Sequence, residues 1–571
     1  MKLFSFMALV AFAAILIAGC TKTEVEENQP EGLTKMEMEF QTFAEGLQNE
    51  IKPKYKAVAL GYFESAVSGK EEDYNKTAEA EKAYNAVLAN TENYKKLKEY
   101  KESGEIKDHE LSRVLEMLYN EYLSKQLDKE MLDKMTEMGS MIEKKYSRFR
   151  AKVGDKELTD NEIEDILKTS TDSEELKAAW EGHKEIGPLV AEDVITLVKL
   201  RNEAARKLGF NNYHEMSLKL SDQDPQEIEK LFDELDELTR DAFAGLKGEI
   251  DAYLAKKHNI KEEDLMPWHF QNRFFQEAPA IYSVDLDKYY KDQDLVKLTE
   301  VYFASISQPI DDMVKNSDLF EKEGKMQHAF CTDIDRDTKD VRVLCNVRDN
   351  YMWMNTMLHE YGHAVYFKYH DDELPWILKT PAHIFTTEAI AMLFGRFASN
   401  PQWMVDVMGV DQAEADKIKE ECYNVLRLEQ LTFSRWSQVM FRFEKSMYEN
   451  PDQDLNKLWW DLVEEYQMVK KPEGRNQPDW ASKIHIATSP CYYHNYHMGE
   501  LLASQLDNYI KTNILKLKEG EMTSYFGNKE VGKYLIDEVY APGAKYQWNE
   551  MIEKATGEKL TAKYYAQQFV K

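Results

Sequence analysis

The segment 355–367, N-T-M-L-H-E-Y-G-H-A-V-Y-F, holds two histidines four residues apart, with a glutamate directly after the first. On a helix of about 3.6 residues per turn, His359 and His363 stack on one face and can grip the same ion. Glu360 then stands beside that ion. Two neutral imidazoles at this spacing form the H-E-x-x-H arrangement, in which the rings hold Zn2+ and the glutamate handles the proton of the attacking water. Met357, Leu358, Ala364, Val365 and Phe367 are apolar and would keep bulk solvent from the ion.

A catalytic zinc takes a third protein ligand and leaves a fourth position open. Glu388, in F-T-T-E-A-I-A-M-L-F, lies 25 residues after His363 on a second apolar helical segment that can pack on the first. His370 and His383 lie near the intervening loop as rival ligands, but neither has the helical support that fixes a ligand's direction. Farther on, 483–499 reads K-I-H-I-A-T-S-P-C-Y-Y-H-N-Y-H-M-G, a run crowded with proton donors. Attack of hydroxide on an amide creates an oxyanion, and one preorganised donor is typically worth ~3–4 kcal/mol of barrier. His485 and Tyr496 are the donors expected in that role; without the metal site, the same density of rings would read as a hydrogen-bonded core patch.

The elements that must hold these groups are helical almost throughout. Asp224-Pro225-Gln226-Glu227 supplies an N-cap, a first-turn proline and a capping glutamate, and Ile228, Leu231, Phe232, Leu235 and Leu238 then mark one apolar face. Similar patterns predict helices over 37–66, 78–89, 108–136, 173–184 and 189–207. Aromatic residues within them, such as Tyr55, Tyr62 and Trp180, are expected in the core. The exception is 326–347, where alternation around a polar turn predicts a two-stranded hairpin just before the metal-binding helix. A strand edge there would hold a peptide by main-chain hydrogen bonds; a purely structural hairpin is the alternative. Cys331 and Cys345 flank the turn, so the hairpin could bring them together as a disulfide.

Formal charge is −30, from 73 basic against 103 acidic residues, which argues against nucleic acid as a partner and against an anionic membrane as a docking surface for the body. Five cysteines are too few for a disulfide scaffold or a cysteine-rich metal site. Lys2 precedes an apolar run over 3–17, too short to span a bilayer as a finished helix, and I-A-G-C follows. This predicts a bacterial lipoprotein signal over 1–20 ending at a lipidated Cys20, then a flexible acidic tether over 21–33. An ordinary secretory peptide is the alternative, and both export the chain. The expected location is therefore the bacterial cell envelope, lipid-anchored and facing the periplasm or the cell surface. With no Gly/Ser/Pro-rich linker beyond the tether, 34–571 reads as a single domain.

Several stretches together resemble the angiotensin-converting enzyme family of zinc peptidyl-dipeptidases. They are S-E-E-L-K-A-A-W-E-G at 173–182, R-N-E-A-A-R-K-L-G-F at 201–210, M-P-W-H-F-Q-N-R-F-F-Q at 266–276 and Q-H-A-F at 327–330. H-E-Y-G-H, T-E-A-I at 387–390, K-I-H-I at 483–486 and W-N-E-M-I-E-K-A-T-G at 548–557 continue the family's order. The resemblance implies an almost wholly α-helical, bilobed ellipsoid, split by a deep groove that N-terminal helices partly cover, with the small hairpin beside the zinc. It implies His359, His363 and Glu388 as zinc ligands, Glu360 as general base, and His485 and Tyr496 as binders of the transition state. It also implies Ala329 as a hydrogen-bond partner of the substrate backbone. Gln276, Lys483 and Tyr493 fall where that family captures the free C-terminal carboxylate of an oligopeptide substrate.

The departures are specific. The interval from His363 to Glu388 is one residue longer than in that family and suits the thimet oligopeptidase and oligoendopeptidase group. Met392 stands where an aspartate supports a histidine ligand. His494 and Asn495 replace an expected arginine, which puts chloride activation in doubt, and one extra residue separates His485 from Tyr493. The expected activity is zinc-dependent release of C-terminal dipeptides from short peptides. Oligoendopeptidase cleavage, or a catalytically inactive peptide-binding lipoprotein, are the alternatives.

Overall fold

The computed structural model describes residues 32–518 and 520–570. The expected leader, the lipidation site Cys20 and the tether up to residue 31 lie outside the described residues. Among those described, no helix is long and apolar enough to cross a membrane. The described residues are mainly α-helical, with two small antiparallel hairpins, Ala151–Val153 with Lys156–Leu158 and Phe330–Asp335 with Asp340–Leu344.

Local signals explain where the helices begin and end. Thr34 and Glu37 form a reciprocal capping box that starts the helix Lys35–Ser68. Asp224 accepts from the backbone N–H of Gln226 and Glu227 and opens the long helix Pro225–His258. The run expected over 108–136 breaks in two, His109–Leu123 and Lys129–Arg148. Asp128 causes the break by capping the second helix, its side chain accepting from the N–H of Met131. Ser173–Lys184 has the expected bounds, whereas the helix expected to start at 189 begins at Ile186 and leaves Leu189 exposed. Leu238 also proves exposed, since the buried stripe of its helix passes instead through Thr239 and Phe243.

Three apolar clusters organise the packing. The largest contains the helices Tyr351–Lys368, Ile384–Gly395 and His494–Tyr509. A second joins Phe40, Leu47, Leu97, Leu118 and Tyr122 of the N-terminal helices to Trp376, Ile377 and Leu378. A third is small: Ala59, Phe63 and Ala66 pack on Ile334 and Leu344 of the second hairpin. The N-terminal helices therefore have their own core and touch the hairpin directly. Arg336, in the hairpin turn, ties the second and third together, because its guanidinium lies 4.5 Å from the ring centroids of both Tyr55 and Trp376. Of the aromatics expected in the core, Trp180 is buried and Tyr55 half-buried, but Tyr62 is exposed and covers Phe330 with a ring distance of 4.9 Å.

The expected hairpin over 326–347 is present, with Cys331 opposite Val343 and an irregularity between Asp333 and Asp335. Cys345 lies two residues beyond Val343, diagonal to Cys331 rather than opposite it. Both thiols are free, which corrects the disulfide considered from the sequence.

Candidate metal centre and active site

Asn350 caps the helix Tyr351–Lys368 by accepting from the N–H of Trp353. Met354, Met357, Leu358, Tyr361, Ala364, Val365 and Tyr366 are fully buried, so this helix is apolar nearly all round. Gly362 decides what packs against it. A Cβ at that position would sit 2.8 Å from Ala391 Cα, so the two backbones touch and the helix Ile384–Gly395 is drawn in close. Glu388 Oε2 is thereby placed 3.7 Å from His359 Nε2 and 3.8 Å from His363 Nε2. The ligand atoms of His359, His363 and Glu388 all lie within 4.8 Å of one another. Ligands ~2.1 Å from a tetrahedral zinc sit roughly 3.4 Å apart, so a small inward movement suffices to bind one.

The rival histidines are accounted for differently. His383 caps the helix Ile384–Gly395, its Nδ1 accepting from the Phe385 N–H, and His370 packs on the rings of Tyr366 and Phe367.

Electrostatics favour a cation at this point. Burial holds His359 down at about 4 and His363 well below its usual value, so both rings are neutral and offer lone pairs. Burial and then the charge of Glu500 push Glu388 up to about 7. Burial, followed by the neighbouring Glu388, pushes Glu360 up to about 8, against a backbone N–H from Cys331. Among the described residues neither carboxyl has a lysine or arginine partner, and a dication supplies the positive charge. The donor set fits zinc.

The transition-state donors arrive on a third helix. In His494–Tyr509, a Cβ on Gly499 would lie 3.1 Å from both Glu388 Cβ and Met392 Sδ, so this helix packs closely on the one carrying Glu388. Burial, then the negative charge of Glu388, raises the phenol of Tyr496. His485 sits on the short helix His485–Thr488, its ring 5.3 Å from Tyr493, and Tyr493 lies 5.4 Å from Tyr496. Burial, then Lys483, keeps His485 at about 4, and its buried Nδ1 has no hydrogen-bond partner among the described residues.

The residues expected to take a carboxylate also converge. Lys483 Nζ donates to Gln276 Oε1 at 2.5 Å and lies 5.2 Å from the ring centroid of Tyr493. The rings of Phe274 and Trp436 complete the surround at 5.2 and 5.3 Å. Burial, then the charge of Arg273, lowers Lys483 to about 7. Ala329 directly precedes the strand Phe330–Asp335 and is half-buried, and that strand packs against the helix bearing Glu360.

Two features were not legible beforehand. Thr387 Oγ1 lies 2.7 Å from His363 Nδ1, giving that ring a hydrogen-bond partner that no sequence pattern marked. Where an arginine was expected, Asn495 Oδ1 accepts from Gln223 Nε2 at 2.8 Å and His494 Nε2 lies 2.8 Å from Gln223 Oε1. This group of three is buried, neutral and mutually paired.

Residues 34–569 match the family described as angiotensin-converting enzyme, peptidase M2. Among curated relatives, an angiotensin-converting enzyme of Theromyzon tessulatum is 25% identical over 71% of this chain and 70% of its own length. One from Haematobia irritans exigua is 23% identical over 72% of each chain. One from Sus scrofa is 22% identical over 70% of this chain, and the match spans 32% of that longer protein. With a zinc ligand set assembled on two abutting helices and a family match along nearly its whole length, the chain belongs to the angiotensin-converting enzyme family and is a zinc metallopeptidase.

Proposed function

We propose that this chain removes dipeptides from the C-terminal end of short, unfolded peptides, with His359, His363 and Glu388 holding one zinc ion. The observation that carries this reading is the coexistence of two sites: the ligand triad, and a buried lysine hydrogen-bonded to Gln276 under the ring of Tyr493. Zinc, when bound, supplies Lewis-acid polarisation and makes hydroxide available near neutral pH. Glu360 takes the proton of the attacking water and returns it to the leaving amine. His485 and Tyr496 donate to the developing oxyanion, each worth about 3 kcal/mol of barrier. Ala329 and the strand after it align the substrate main chain. Lys483, Gln276 and Tyr493 receive the terminal carboxylate, one charged and two neutral donors around an anion.

The test is a peptide series with free and amidated C-termini, its products read by mass spectrometry with and without chelator. Dipeptide release that amidation suppresses supports the reading. Equal cleavage of both forms at internal bonds would replace it with oligoendopeptidase activity. The neutral Gln223–His494–Asn495 group supports activity without chloride, so exchanging chloride for acetate should leave kcat/KM unchanged. The I-A-G-C sequence supports export and a lipid anchor at Cys20. Labelled fatty acid should enter the wild-type chain and not Cys20→Ala; equal labelling removes the anchor from the proposal.

A further inference from the structure

We infer that Thr387 is a positioning residue for the metal centre: its hydroxyl accepts the Nδ1 hydrogen of His363 and so holds that ring with Nε2 turned toward Glu388. The inference rests on the metallopeptidase reading of the site. Thr387 is buried, its Oγ1 is 2.7 Å from Nδ1, and Nε2 of the same ring is 3.8 Å from Glu388 Oε2. A neutral imidazole carries one hydrogen. For Nε2 to offer its lone pair to a metal, that hydrogen must reside on Nδ1, where it needs an acceptor.

Among the described residues, Thr387 makes the only side-chain hydrogen bond to His363, and His359 makes none. One ring is thus oriented by a hydrogen bond, and the other meets it edge to face at 4.9 Å. Thr387 and Glu388 are consecutive on one helix, about 100° apart around its axis, so a single turn presents a carboxylate to both rings and a hydroxyl behind one of them. Thr is β-branched and stiff at χ1, which keeps the entropy lost in holding the hydroxyl small. A hydroxyl is neutral, so it fixes the tautomer while adding less basicity to the ring than a carboxylate would.

The full chain and its Thr387→Val and Thr387→Ser variants are compared for zinc affinity by chelator competition, for the visible spectrum with Co2+ in place of zinc, and for thermal melting after chelation. Loss of such a partner typically weakens metal binding 10–100-fold, so Val should lose that much and shift the Co2+ bands, while Ser stays close to wild type. Melting after chelation should be alike in Ser and wild type and lower in Val, where the buried Nδ1–H of His363 lacks an acceptor. Wild-type zinc affinity in Val, or an equal loss in Ser, overturns the role of Thr387. Failure of the wild-type chain to bind zinc overturns the metal reading itself, a separate result. Should Val not fold, the nitrogen chemical shifts of His363 in the zinc-loaded wild type decide: a hydrogen on Nδ1 supports the inference and one on Nε2 sinks it.

Discussion

The metal end and the carboxylate end of the site are built by different means. His359, His363 and Glu388 stand on two long, buried helices whose backbones meet at Gly362 and Ala391. Lys483 precedes the four-residue helix that His485 opens, and Tyr493 closes the turn after that helix, where Cys491 adopts a left-handed φ of 58°. That turn is pinned by side chains: Arg201 donates to the Ala487 carbonyl at 2.8 Å, and Glu444 accepts from the Cys491 N–H at 2.9 Å. Helix-on-helix packing leaves ligand positions little freedom, because interiors are close-packed and shift only in discrete ways. A turn held by a few hydrogen bonds can absorb a residue more or less. The extra residue between His485 and Tyr493 is absorbed here, since their rings still meet at 5.3 Å.

The largest effect should come from the metal end. Glu360→Gln keeps the shape of the side chain and removes the base, and loss of a general base typically costs 10²–10⁴ in kcat. Zinc binding should persist, because Glu360 is not one of the three ligands. Single-turnover rates with zinc content measured in parallel check this; near wild-type turnover would leave peptide binding without catalysis.

The carboxylate end should respond in KM instead. Lys483→Met retains most of the packing against Phe274 and Trp436 but deletes the cation, and a hydrogen bond to a charged group is worth about 1.5–3 kcal/mol, roughly a 10–150-fold rise in KM. Amidated peptides should be indifferent to the change. Equal losses on free and amidated peptides would mean that Lys483 does not read the carboxylate. The lowered pKa adds a pH signature. The cation is present below about 7 and is lost above it, so kcat/KM for free peptides should fall as pH rises past about 7, and not in Lys483→Met. Stability runs the other way. The unfolded lysine holds its proton up to its ordinary value of 10.5, so burying it disfavours folding most below about 7, where Lys483→Met should melt higher than wild type.

This contrast also explains what could be read in advance. Helical spacing alone puts His359 over His363, and a buried helix keeps that relation in any packing, so the ligands were legible. The hairpin was equally plain, because alternation of period two is local. Thr387 was not, since its meeting with His363 depends on how two helices rotate against each other, and nothing in F-T-T-E marks the second threonine over the first. The break at Asp128 turns on one side chain capping a new helix within a run that remains helical on both sides. The free Cys331 and Cys345 depended on hairpin register, in which a shift of two residues separates opposite from diagonal neighbours. Tyr62 and Leu238 show that apolar character sets a preference for burial, while neighbouring elements decide whether a cover exists.

The smallest expected effect tests whether the turn is set by its pins. Glu444 is buried, and burial pushes its carboxyl up to about 8, so near neutral pH it is protonated and still accepts from Cys491 through its carbonyl oxygen. Glu444→Gln preserves that acceptor and should match wild type in kcat/KM. Glu444→Ala leaves the Cys491 N–H buried without a partner, at a cost of about 1–3 kcal/mol of stability. Relaxation of the turn should then move Tyr493 and Tyr496, lowering kcat/KM several-fold while zinc affinity stays constant. The two variants also differ in how stability varies with pH. Between the ordinary carboxyl value of 4.5 and about 8, the unfolded chain has released its proton and the folded chain retains it, so wild type loses stability as pH rises through that window. Glu444→Gln removes the loss, and its melting temperature should exceed that of wild type by more at pH 8 than at pH 5. Unchanged kinetics in Glu444→Ala would show that helix packing alone positions the tyrosines, and that both ends of the site are equally rigid.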